Sequence, residues 1–203
     1  MALYSFYGET TMHKNILILD ANPRAGSLCG ALADAYCTEA QLNAEVQYFK
    51  LSAMEFNPDL AQGYHADQPL EPILQAFQAA LAKADHLVIV APFWWGGVPA
   101  KCKGLLDRTL LPGFAFKYVS GEDEPVPLLG GKTLRLMVTM DTPVEYFDTP
   151  EQVPLVQQLG AWVFQLCGFQ PAAVSLFGPV IHSTEPQREA WLEQSRALGA
   201  DLC

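Results

Sequence analysis

The feature that most constrains this chain is the run His86-Leu-Val-Ile-Val-Ala91, which stops at Pro92 and gives way to the loop Pro92-Phe-Trp-Trp-Gly-Gly-Val-Pro99. A run this short and apolar, with no polar alternation, predicts a strand buried on both faces of a parallel sheet. Proline ends it because proline brings no N–H to a neighbouring strand. The carboxyl ends of such strands are where open α/β sheets hold their ligands. Two tryptophans and two glycines offer a metal no good donor. They suit a large, flat, aromatic ligand.

The rest of the chain repeats the pattern. Residues 15–21 (NILILDA) are a second apolar run, and residues 27–42 read as a helix with Ser27 as N-cap. Residues 45–51 read as a strand, and Leu70, Ile73, Leu74, Phe77 and Leu81 share one helical face. A helix over residues 98–111 follows the aromatic loop. An irregular stretch rich in glycine and proline, residues 112–132, precedes strands at 133–140 and 172–177. Between those strands, Thr149-Pro150-Glu151-Gln152 reads as a capping box opening a helix that stops at Gly168. A second box, Thr184 to Gln187, opens a last helix lined by Trp191, Ser195, Leu198 and Leu202.

Five strands alternating with five helices predict a single α/β domain over residues 15–203, with residues 1–14 as an N-terminal extension, disordered or foreign to the domain. The architecture expected is a doubly wound five-stranded parallel sheet of order 2-1-3-4-5 in a three-layer sandwich. That order places the switch point between the first and third strands, so the loops after Ala21, Ala91 and Met140 converge on one edge.

Charge and cysteine content exclude several classes. A net charge of −10, from 12 Lys and Arg against 22 Asp and Glu, argues against nucleic-acid binding and against a basic membrane-surface helix. The 5 cysteines are widely spaced with no CxxC pair, so no metal site or disulfide framework is expected. No secretory leader pattern and no apolar run long enough to span a bilayer are present, which predicts no membrane insertion and a cytoplasmic location.

The first loop, Asn22-Pro-Arg24-Ala-Gly-Ser27, offers a hydroxyl, a guanidinium and free N–H groups at a helix start, a cradle for phosphate. It has neither the GxGxxG of a dinucleotide turn nor a P-loop. Gly131-Lys132-Thr133 mimics a P-loop tail, but Val126 stands where the first glycine belongs, so this segment reads as a turn. In the second loop, adjacent tryptophans point different ways, and one of Trp94 and Trp95 is expected at the ligand. In the third, Thr139 to Pro143, Asp141 either meets the ligand or caps a local turn, and Tyr146 is either a contact or a surface aromatic.

On these residues the chain resembles the flavodoxin-like-fold NAD(P)H:quinone oxidoreductases, the DT-diaphorase-like family in its bacterial branch. The resemblance rests on Pro92 through Pro99, Lys103-Gly104, Asp107-Arg108, Pro112-Gly-Phe-Ala-Phe116, the first loop, and Thr139 to Tyr146. It implies a flavin, FMN or FAD, with NAD(P)H as donor, a quinone-like acceptor and a homodimer. It implies that Asn22, Arg24, Ser27, Leu28 and Cys29 surround the flavin phosphate. Pro92, Phe93, Trp94, Trp95 and Gly96 would hold the ring, with Thr139, Met140, Asp141, Thr142 and Tyr146 at its far end. Tyr146 is the only candidate carried over for proton transfer, because Asp141-Thr142-Pro143 replaces the family's glycines and His182 has no clear counterpart. Two other functions use the same fold: a flavodoxin-type electron carrier, and a nucleotide-sensing regulatory subunit of a membrane transporter.

Overall fold

The computed structural model describes residues 14–122 and 124–202. The expected N-terminal extension, Lys14 apart, lies outside them, as does Cys203. Strands β1 (Lys14–Asp20), β2 (Ala44–Lys50), β3 (His86–Pro92), β6 (Thr133–Thr139) and β7 (Ala173–Phe177) form one parallel sheet. A two-residue ribbon, β4 (Phe116–Lys117) with β5 (Val126–Pro127), stands apart from it. The sheet order is β2-β1-β3-β6-β7, the expected 2-1-3-4-5 when its strands are counted along the chain. Each predicted strand is present, with boundaries moved by a single residue.

Alternation within the apolar runs decides the layering. Ile16, Ile18, Val88 and Val90 face helices α1 (Leu28–Ala40) and α5 (Glu185–Ala200). Leu17, Leu19, Leu87 and Ile89 face α2 (Pro72–Lys83), α3 (Ala100–Thr109) and α4 (Pro154–Val156) on the other side. Burying each such side chain contributes about 1.5–3 kcal/mol, and a one-residue slip would turn each towards the opposite layer, against helices it does not fit. On the first side, Ser195 Oγ donates to Leu32 O at 2.6 Å, and Gly199 packs on the Tyr36 backbone where no side chain fits.

One expected element differs. Thr149 makes no side-chain cap; Pro150–Gln152 is an isolated 3-10 turn, and the helix begins only at Pro154. It runs on as a π-helix over Gln157–Gln165, ending near Gly168 at φ 102°. The second proline explains the delay: it restarts the chain at a position where a missing N–H costs nothing. The other caps match expectation. Ser27 Oγ accepts from Gly30 N–H at 3.1 Å and Thr184 Oγ1 from Gln187 N–H at 3.4 Å.

Candidate active site

The first loop is stiffened from within. Asp20, buried at the end of β1, accepts the Asn22 N–H at 3.1 Å, and Asn22 Oδ1 accepts the Arg24 N–H at 3.0 Å. Burial pushes the Asp20 carboxyl above its usual range, against the Asn22 N–H and the charge of Lys50. With Ser27 Oγ turned to Gly30, the first-turn N–H groups of Leu28 and Cys29 have no helical carbonyl to bond, which leaves a partly positive patch. Arg24 beside it is exposed and makes no ion pair among the described residues. Gly26, at φ 65°, supplies a backbone angle other residues resist.

The second loop is a hairpin tip. Trp94 and Gly97 exchange both N–H···O bonds at 2.9 Å, and the residues between them, Trp95 (φ 50°) and Gly96 (φ 84°), share the positive φ of a type I′ turn. Glycine or asparagine is usual there, so a tryptophan in the left-handed region carries strain. Trp95 stands fully in solvent, whereas Trp94 is half-buried. Phe93 N–H donates to Thr139 O at 2.8 Å, tying this loop to the third. Behind the turn, Gln158 Oε1 of the π-helix lies 3.2 Å from where a β-carbon on Gly97 would stand, so that position admits no side chain without movement.

The third loop departs from β6 at Thr139, whose Oγ1 lies 3.2 Å from Cys29 Sγ. Burial pushes the Cys29 thiol up to about 11, against hydrogen bonds from Thr139 and Asn22. It is a neutral strut rather than a nucleophile. Asp141 caps no local turn: its Oδ1 accepts the N–H of Ile181, in the loop after β7, at 2.8 Å. Tyr146 lies in a 3-10 turn, exposed, edge-on to Phe147 at 5.4 Å, and Phe147 meets Phe93 at 6.3 Å.

Together these loops enclose a hollow of about 220 Å³ at the strand ends. Asn22, Arg24, Ser27 and Leu28 line its polar end; Pro92, Phe93 and Trp94 come from the second loop and Thr139, Met140 and Asp141 from the third. Ten expected residues are thus brought together. Cys29 sits beneath the lining, and Trp95, Gly96, Thr142 and Tyr146 stand outside it. Val180 also lines the hollow and was not anticipated. Its signal was topological: β7 ends at the same edge as β1, β3 and β6, so the loop after it must lie there too.

Two other features bear on the site. Residues Gly104 and Arg108 of α3 hold a loop in place. A β-carbon on Gly104 would stand 2.6 Å from Pro58 O. Arg108, almost fully buried, donates to Asn57 O, to Pro69 O at 2.8 Å and to Glu71 Oε2 at 2.9 Å. A second hollow, about 280 Å³, opens on α3 and the π-helix between Tyr64, Tyr118, Trp162 and Leu166, and none of the expected site residues line it. Among the described residues, no cluster of three or more His, Cys, Asp or Glu side chains could hold a metal, and no helix is long and apolar enough to cross a membrane.

Comparison with known proteins identifies the family. The family model described as Flavodoxin-like fold matches residues 14–198, and the chain belongs to that family. It is 32% identical over 185 residues to an uncharacterized NAD(P)H oxidoreductase of Haemophilus influenzae, covering 88% of this chain and 91% of that one. Over 74 residues it is 40% identical to an FMN-dependent NADH:quinone oxidoreductase of a Bradyrhizobium species, covering 35% of this chain and 36% of that protein. Its fold superposes on that of an NAD(P)H:quinone oxidoreductase from Methanothermobacter marburgensis with a TM-score of 0.74 at 20% identity, covering 94% and 100% of the two chains.

Proposed function

We propose that the protein is a flavin-dependent NAD(P)H oxidoreductase that delivers two electrons to quinones or similar aromatic acceptors. The observation that carries this reading is the hollow at the switch point, lined by Arg24 and the start of α1 together with aromatic and aliphatic side chains of the second and third loops. The names of the relatives point the same way.

The residues present fit the cofactor. Arg24 and the first-turn N–H groups of α1 would hold its phosphate by charge and by the helix dipole. Pro92, Phe93 and Trp94 would hold the ring, and the N–H groups of the third loop would meet its polar edge. We propose FMN over FAD, because the lined hollow offers a single phosphate-sized anchor and the Bradyrhizobium relative is named as FMN-dependent. A bound flavin supplies hydride acceptance from NAD(P)H and two-electron delivery to the acceptor, the two substrates alternating in one place in ping-pong order.

The chain's own residues do the rest. Trp95, standing out from the turn, would stack on whichever flat substrate arrives and fix its distance. Backbone donors of the second and third loops would stabilise negative charge developing at the ring edge. Tyr146 remains our candidate for proton delivery from a neighbouring position. Residues 15–203 are read as one domain, working as a homodimer in the cytoplasm. The exposed Tyr64, Tyr118, Trp162 and Leu166 supply the apolar face such a dimer would bury.

Residues 112–132 are read, from the family resemblance, as a wall for seating two flat substrates, which an electron carrier does not need, and this favours the enzyme. The test is NADH and NADPH oxidation by purified protein with and without menadione. Acceptor-dependent oxidation with parallel-line kinetics is the expected result. Flavin bound without any NAD(P)H oxidation would return the protein to the carrier or regulatory class.

A further inference from the structure

The loop after β7 is held more firmly than a plain connection to α5 requires. Val180 N–H donates to Met140 O at 2.9 Å, and Ile181 N–H donates to the Asp141 carboxylate at 2.8 Å. Ser183 closes the loop on itself: its N–H and its hydroxyl both meet Val180 O, at 3.0 and 2.6 Å. Arg188 Nε then donates to the Ser183 hydroxyl at 2.8 Å. Gly178 lets the loop come this close, since a β-carbon there would stand 2.7 Å from Met140 O and 2.9 Å from Met140 Cγ. Of the residues so fixed, Val180 turns to the hollow, while Ile181 and His182 stand in solvent.

We propose that Asp141 is a positioning residue which, through the Ile181 N–H, fixes Val180 as a fourth wall of the hollow and so sets how the ring is seated. The claim about seating rests on the flavin reading; the claim about the loop does not. Asp141 is exposed, so its carboxylate had water as an alternative partner. The bond made instead, to a backbone N–H forty residues away, ties the third loop to the loop after β7. It also occupies one Asp141 oxygen that would otherwise sit bare beside an anion-binding hollow. The requirement is for an acceptor at this point rather than for a charge, so asparagine can replace the residue and alanine cannot.

The test compares Asp141→Ala, Asp141→Asn and Val180→Ala, the last leaving the Asp141 contact in place. In cofactor-free protein, amide hydrogen exchange over residues 180–183 should be faster by about tenfold or more in D141A and near wild type in D141N. FMN dissociation constants should rise about fivefold or more in D141A and V180A, and little in D141N. Unchanged exchange in D141A, or D141N behaving like D141A, overturns the proposal. So does faster exchange in D141A with FMN affinity unaltered in both alanine variants. A wild-type protein that refuses FMN overturns the flavin reading instead, and the exchange measurement still decides whether Asp141 fixes the loop.

Discussion

The Cys29 thiol and the Thr139 hydroxyl meet at 3.2 Å beneath the hollow, joining the first turn of α1 to the end of β6. The helix that opens behind the first loop and the strand that feeds the third are thereby coupled across 110 residues of sequence. Burial lifts the thiol to about 11, so it stays protonated at neutral pH. Native protein treated with iodoacetamide at pH 8 should therefore carry label at the half-buried Cys37 well before Cys29 or Cys102, as read by peptide mapping. Labelling of Cys29 at the rate of Cys37 would mean the strut is open.

Trp95 combines backbone strain with full exposure, a pairing that costs stability and returns nothing within the chain. Replacing it with glycine should raise folding stability by about 1 kcal/mol by relieving the left-handed conformation. The same change should weaken FMN retention or turnover. Urea unfolding and FMN titration on one preparation separate the two effects. Loss of stability in Trp95→Gly would show that the indole packs where the account leaves it free.

Arg108 supplies donors to two carbonyls and a carboxylate on the loop that covers α3. Arg108→Ala should cost about 3 kcal/mol, because it removes three charge-assisted bonds and leaves a hole where an almost fully buried side chain stood. Glu71→Gln, at the more exposed end of the pair, should cost about 1 kcal/mol. Chemical denaturation measures both, and equal losses would refute the view that the contacts to the Asn57 and Pro69 carbonyls dominate.

How much of this was legible follows from where the physics is local. The strands at residues 15–21 and 86–91 could be read because both faces of each are buried, which makes the composition uniform. Ser27 and Thr184 could be read as caps because the bonded N–H is three residues away. The Thr149 box could not, since Pro154 competes as a helix start and only packing decides between them. No residue pattern announces the π-helix at Gln157–Gln165, whose side-chain spacing differs little from an ordinary helix. The Asp141–Ile181 bond and the Val180 wall are contacts between distant loops, invisible to spacing. Gly104 and Arg108 stand out in the sequence only through a family resemblance, and their work on Pro58 and Asn57 is visible only in three dimensions.

His86 gives the fold a defined acid limit. It is buried at the start of β3, with Nδ1 2.6 Å from Thr133 Oγ1 and Nε2 without a partner among the described residues. Burial, then the charges of Lys14 and Arg135, lower its pKa from 6.5 to about 3. A histidine depressed in the folded state binds its proton only on unfolding. Its contribution is complete above pH 6.5 and is lost as pH falls from there towards about 3. The slope approaches about 1.4 kcal/mol per pH unit. Urea midpoints between pH 7.5 and 5 should fall less steeply in His86→Gln than in wild type. Parallel slopes would place the acid sensitivity elsewhere.

We hold that the hollow between Asn22, Trp94 and Met140 seats a flavin whose phosphate is anchored at Arg24 and the first-turn N–H groups of α1. Titration of cofactor-free protein with FMN, followed by flavin fluorescence, measures this directly. Saturable one-to-one binding per chain is expected, weakened about tenfold or more in Arg24→Ala through loss of a charge-assisted phosphate contact. No saturable binding of FMN or FAD by folded wild-type protein would contradict it.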